Sequence, residues 1–174
     1  HYFIRHAHRG ELKGWGHKVS ITAEGRKASE QLGRVFANRE IEAIWTSPVK
    51  RCVQTATEIK KGIGTNLSIH SSALLGDPGF MISNLKLAED AFHKYRLVQL
   101  IDLLLEQKPL PGFYPLDVGC KKILACLLKN RDRSKVWITH DVNVCILACW
   151  LFHWNRAEAM MPNLLEAIEL SFSA

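Results

Sequence analysis

No apolar run in this chain of 174 residues approaches the ~20 that a membrane-spanning helix needs. No block of lysine and arginine occurs, and no basic stripe interleaved with aromatics of the kind that follows a nucleic-acid backbone. There is no CxxC pair. The five cysteines, Cys52, Cys120, Cys126, Cys145 and Cys149, are odd in number and argue against a disulfide framework. Cys145 and Cys149 stand four apart in an apolar helical pattern and read as small core residues, so a reducing, cytoplasmic setting is expected. Internal repeats and linkers are also missing, which leaves a single domain over residues 1–174. The numbering starts at His1, inside a strand pattern and without methionine; a few residues are expected upstream, and a signal peptide is left open. Carboxylates are the scarcer charge, 17 Asp and Glu against 23 Lys and Arg, for a formal net charge of +6. With no basic tract, that balance suits a small phosphorylated ligand held by a few placed cations, rather than nucleic acid or a membrane. Oligomeric state is not legible.

Three short apolar runs each end in a polar corner, and each corner is followed by a helical pattern. Tyr2-Phe3-Ile4 runs into Arg5-His6-Ala7-His8-Arg9-Gly10. Ala43-Ile44-Trp45 runs into Thr46-Ser47-Pro48, with Arg51 close behind. Val136-Trp137-Ile138-Thr139 runs into His140-Asp141. Open α/β sheets bind their ligands at the carboxyl ends of such strands. Three corners side by side would gather Arg5, His6, Arg51, His140 and Asp141 in one crevice.

The intervening pattern predicts one α/β sheet with helices on both faces. Thr22 is a candidate N-cap for a helix through about Asn38, and Ser47-Pro48 reads as N-cap and N1 of the next helix. Leu67 to His70 alternates like a short strand, and Leu75 to Phe80 is turn-rich. One long helix is expected over Ala88–Gln107, another over Leu116–Lys129 and another over Asn143–Trp154. A period-two edge strand is expected over Ala167–Ser173. Gly10 to Ser20, with Trp15 and His17, forms a loop that could lie over the crevice. Trp15, Phe80 and Tyr114 are candidates for its mouth.

A phosphoryl group carries about two negative charges near neutral pH, so its transfer needs cations, an in-line nucleophile and a proton for the leaving oxygen. Arg5 and Arg51 can each offer a bidentate fork that lysine cannot. A strand-tip imidazole can attack if its other nitrogen donates to a backbone carbonyl. The same residues have plainer readings: Asp141 as a helix cap, Asp77 as an ordinary Asx-turn, Arg9 as a loop residue facing solvent.

Arg5-His6-Ala7, Thr46-Ser47-Pro48-Val49-Lys50-Arg51 and Thr139-His140-Asp141 together resemble the histidine phosphatase superfamily, which includes the cofactor-dependent phosphoglycerate mutases. Ile21-Thr22-Ala23-Glu24-Gly25, then Ala28 and Leu32-Gly33, resembles that family's first helix, so the likeness runs along nearly the whole chain. It implies a three-layer α/β/α sandwich around a mostly parallel, phosphoglycerate mutase-like sheet. It implies His6 as the phosphorylated nucleophile, Arg5 and Arg51 as phosphate ligands, His140 as the second site histidine, and no metal or other cofactor. Ala7 departs from the family's usual glycine, and the added methyl is expected to be tolerated. Arg9 and Asp141 look like the larger acid-phosphatase branch, with Arg9 a third phosphate ligand. The short chain looks like the smaller branch, whose acid would fall at Asp77. Asp141 is preferred as general acid, because its place after His140 fixes it at the crevice, and Asp77 stays in play. The expected activity is that of a metal-independent phosphomonoesterase working through phosphohistidine. Two alternatives stand beside it: a metal-dependent hydrolase using His6, His8, His140 and Asp141, and a non-catalytic phospholigand-binding module. The physiological substrate is not legible.

Overall fold

A computed structural model describes residues 1–11 and 17–172 of the chain. Strand β1 (Tyr2–Arg5) is followed by helix α1 (Ala23–Phe36), strand β2 (Ile41–Thr46), helix α2 (Lys50–Ile63) and strand β3 (Ser68–Ser71). Helices α3 (Leu85–Lys94), α4 (Leu97–Leu105) and α5 (Leu116–Lys129) come next, then strand β4 (Ser134–Thr139), helix α6 (Asp141–Phe152) and strand β5 (Ala167–Glu169). The sheet runs β3-β2-β4-β1-β5, with β5 antiparallel to β1 and the other pairs parallel. This is the mostly parallel α/β/α sandwich that the sequence resemblance implies. No helix among the described residues is long and apolar enough to cross a membrane.

The central strands read as unbroken apolar runs because both faces are covered. Successive side chains alternate between two cores. Phe3 and Trp137 pack on one side with α4, α5 and α6, whereas Ile4, Ile44, Val136 and Ile138 pack on the other with α1 and α2. Phe3, Ile4, Trp137 and Ile138 are fully buried. Each such side chain contributes on the order of 1.5–3 kcal/mol relative to exposure.

On the second face α1 and α2 cross closely. A Cβ on Gly33 would strike the Ile59 carbonyl, and one on Gly62 would strike that of Glu30. Two glycines facing each other therefore set the depth at which α2 lies on the sheet, and α2 carries Arg51.

Three expectations about elements are corrected. The predicted long helix over 88–107 is two helices. Tyr95 and Arg96 are extended between them, and the Gln99 side chain accepts from the Arg96 N–H at 3.2 Å to restart the chain as α4. Ser47 does not directly precede the helix: α2 begins at Lys50 after Val49, which has no side-chain cap, while the Ser47 hydroxyl accepts from the Val49 N–H and faces His140. The edge strand is shorter than expected, pairing over Ala167–Glu169 with the Leu170 N–H reaching the His1 carbonyl; Ser173 lies outside the described residues. Thr22 does cap α1, its hydroxyl accepting from the Gly25 N–H at 3.1 Å.

Candidate active site

The carboxyl ends of β1, β2 and β4 lie side by side, and backbone bonds tie them together. The His6 N–H donates to the Thr139 carbonyl and the Ser47 N–H to the Ile138 carbonyl, both at 2.9 Å. His6 thus stands one residue beyond β1, Ser47 one beyond β2, and His140 one beyond β4. Arg51, in the first turn of α2, points back over them.

His6 is almost fully buried, at 2% exposure. Its Nδ1 lies 2.8 Å from the Ala7 carbonyl, an acceptor only, so Nδ1 carries the proton and Nε2 holds a lone pair. The Arg51 Nε–H donates to that lone pair at 2.9 Å. Burial chiefly, with the Arg51 and Arg5 charges adding, lowers the His6 pKa to about 4, against the Ala7 carbonyl and Asp141, which act the other way. At neutral pH the imidazole is uncharged and nucleophilic.

His140 takes the complementary tautomer. Its Nδ1 lies 3.0 Å from Arg51 Nη2, a donor, so Nε2 carries the proton and faces Ser47 Oγ at 3.1 Å. Ser47 in turn donates to the Gly76 carbonyl at 3.3 Å and accepts from the Val49 N–H. Burial, followed by the charge of Arg51, holds the His140 pKa well below its ordinary value. The two rings meet edge to face with centroids 5.5 Å apart. Cys52 Sγ lies 3.7 Å from His140 Nε2, but burial pushes its pKa up to about 12, so it remains a thiol.

Arg5 sits at the end of β1. Its Nη1 donates to the Pro162 carbonyl at 2.7 Å and its Nη2 pairs with Asp141 Oδ2 at 2.9 Å, while Nε is buried without a hydrogen-bond partner among the described residues. Arg9 lies within the same field: burial lowers its pKa, Asp141 raises it and Arg5 lowers it. Asp141 opens α6, where its other oxygen accepts from the Val142 N–H at 2.9 Å. Asp77, on the loop after β3, lines a cavity of about 160 Å³ together with Arg51 and His140, and His17 Nδ1 lies 3.5 Å from its Oδ2.

The seven residues expected from the sequence to be catalytic or phosphate-binding (Arg5, His6, Arg9, Arg51, Asp77, His140 and Asp141) fall at one edge of the sheet, in two subsets. Arg5, Arg9 and Asp141 form one, on the β1 side. Arg51, His140 and Asp77 face the cavity, with His6 between the subsets through Arg51. His8 points away: it is exposed and bonded to the Thr22 hydroxyl at 3.0 Å. Phe80 is a core residue, 1% exposed, and Tyr114 lines a different cavity beneath Lys122, so neither forms the mouth. Trp15 lies outside the described residues.

Several supporting groups had no distinct sequence signal. Thr139 Oγ1 donates to the Leu75 carbonyl at 2.5 Å, and Asn143 Nδ2 donates to that carbonyl and to Thr139 Oγ1. These bonds clamp the loop after β3 onto the tip of β4. Gly76 is required there: its φ is +140°, and a Cβ would collide with the His140 ring. The Ala7 N–H donates to Thr55 Oγ1 at 3.1 Å, which anchors the loop after His6 to α2.

Residues 1–77 match the family model described as histidine phosphatase superfamily (branch 1). That span includes His6, both strand-end arginines and Asp77. No curated protein sequence matches the chain. Among solved structures, the mycobacterial glucosyl-3-phosphoglycerate phosphatase is 16% identical with a TM-score of 0.61, covering 95% of this chain and 86% of that one. Phosphoserine phosphatase from Entamoeba histolytica, solved with 3-phosphoglyceric acid, is 13% identical with a TM-score of 0.63, covering 95% and 87%. Phosphoglycerate mutase from Bacillus anthracis is 16% identical with a TM-score of 0.58, covering 86% and 78%. The amino-terminal 77 residues thus carry the histidine phosphatase signature that the motifs suggest, on a phosphoglycerate mutase-like fold.

Proposed function

We propose that the protein is a metal-independent phosphomonoesterase in which His6 is the phosphoryl acceptor. The observation that carries this is the Arg51 contact. A guanidinium donates through Nε to the free lone pair of a buried, neutral imidazole and through Nη2 to a second histidine. A phosphoryl group arriving at His6 Nε2 would take over both donors as a fork, so the recognition geometry surrounds the point of attack.

The reaction divides into two displacements. His6 Nε2 attacks phosphorus, the bond from phosphorus to the ester oxygen breaks, and the departing alkoxide takes a proton from a carboxylic acid. Water then attacks the phosphohistidine, giving its proton to the same carboxylate, and inorganic phosphate leaves with His6 restored. Arg5, Arg9 and Arg51 offset the charge on the phosphoryl oxygens, and His140, held by Ser47, orients Arg51.

For the acid, the surroundings now favour Asp77 over Asp141, the residue preferred from sequence position. Asp141 is engaged by Arg5 and by the start of α6, whereas Asp77 borders the cavity where a leaving group would lie. The metallohydrolase alternative draws little support: among the described residues no three His, Cys, Asp or Glu side chains converge as ligands, and Arg51 stands between the two histidines. Two structural neighbours are phosphatases named for small phosphorylated carboxylates, which keeps the substrate at the level of a small phosphoester. Hydrolysis of a phosphomonoester panel in EDTA tests the reading. Turnover should persist with chelator and be blocked by vanadate; loss in EDTA, restored by zinc or manganese, would support the metal-dependent reaction instead.

A further inference from the structure

The cavity beside His140 is unequally furnished. Its wall is built largely from Val49, Ile82, Leu85, Phe92 and Val142. Leu85 is 44% exposed, so at the entrance to a polar site the chain leaves an aliphatic side chain in water. Of lysine and arginine, the described lining contains only Arg51, whose guanidinium already donates to His6 and His140. His17 faces Asp77, so the one imidazole free of the nucleophile pair is directed at a carboxylate. A leaving group with a carboxylate of its own would meet aliphatic walls and, among the described lining, no further lysine or arginine to pair with, and burying an unpaired charge there is costly. An uncharged hydrocarbon body would instead be covered by the wall, each buried methylene contributing about 0.8 kcal/mol.

Resting on the phosphatase reading, we infer that this cavity selects phosphomonoesters of small uncharged alcohols with an alkyl or aryl body, and discriminates against esters that carry a second anionic group. Its volume of about 160 Å³ suits a leaving group of a few carbon atoms. Arg5, Arg9 and Arg51 then serve the phosphoryl group, and specificity comes from the hydrophobic side.

The test compares n-butyl phosphate with the phosphate ester of 4-hydroxybutyrate, two substrates of equal chain length and nearly equal leaving-group basicity. The butyl ester should show at least tenfold higher kcat/KM. Leu85→Lys, an exposed substitution that supplies a cation at the entrance, should shrink that ratio severalfold by raising turnover of the carboxylated ester. Butylphosphonate and 4-phosphonobutanoate repeat the comparison by calorimetry without any chemistry, and the butyl compound should bind at least tenfold more tightly. Equal values for the two members of a pair, or preference for the carboxylated one, would overturn the inference. Phosphonate discrimination without hydrolysis of either ester would keep the cavity's selectivity and overturn the phosphatase reading, so the two failures are distinguishable.

Discussion

Asp77 and Asp141 differ in what already holds them. Asp141 is ion-paired with Arg5 at 2.9 Å, so changing it disturbs that arginine as well as removing a carboxylate. Among the described residues Asp77 faces His17 alone as an ionisable partner, at 3.5 Å, and its side chain is 41% exposed at the cavity. An alkoxide is too basic to leave without a proton, whereas nitrophenolate leaves readily. Asp77→Asn should therefore lower kcat/KM for an alkyl phosphate by about 10²–10⁴-fold and that for para-nitrophenyl phosphate far less. Asp141→Asn should slow both substrates alike. The reverse pattern in steady-state kinetics would assign the proton to Asp141. At this scale the strand-end corners were readable, because His6, Arg51 and His140 are each of a type that must sit where β1, β2 and β4 end. Ser47 was not. Its Ser-Pro setting is a standard helix start, and nothing local reveals that its hydroxyl is taken by His140, 93 residues away. Gly76 likewise looks like one turn glycine among several until the His140 ring is placed against it.

At the level of elements, the site depends on how deeply α2 lies on the sheet, since its first turn carries Arg51 and its second Thr55. Gly62→Ala would gain helix propensity of about 1 kcal/mol. That gain is outweighed, because the new Cβ would strike the Glu30 carbonyl and the Gly33 backbone, which cannot swing aside as a flexible side chain would. Net destabilisation of about 1–3 kcal/mol is expected in urea unfolding, with kcat/KM falling as Arg51 shifts. A variant as stable and active as wild type would show that the α1–α2 spacing is not set there. Periodicity located these two helices well because each buries one stripe against the sheet. It failed at 88–107, where both α3 and α4 are apolar enough to read as one helix. The break comes from extended backbone at Tyr95 and Arg96, neither a residue that announces a turn.

Across the whole molecule, the price of burying two imidazoles appears in the pH dependence of stability. His6 and His140 are both held neutral in the folded chain, with His6 titrating at about 4. Unfolded, each would take up a proton near 6.5. Between those values the unfolded state binds more protons, so stability rises with pH and is lost on acidification from about 6.5 towards 4. Each histidine contributes a slope of at most about 1.4 kcal/mol per pH unit. Urea unfolding at pH 7 and pH 5 should show this loss, and His6→Asn should show a flatter dependence; equal slopes would mean that His6 is not held neutral by the fold. The central claim, that this neutral imidazole accepts the phosphoryl group, is tested most directly by trapping it. Rapid acid-free quenching of wild type with ³²P-labelled substrate should leave base-stable, acid-labile label on the protein, mapped to the peptide containing His6, and none on His6→Ala. Equivalent label on His6→Ala, or turnover of that variant at the wild-type rate, would contradict the account.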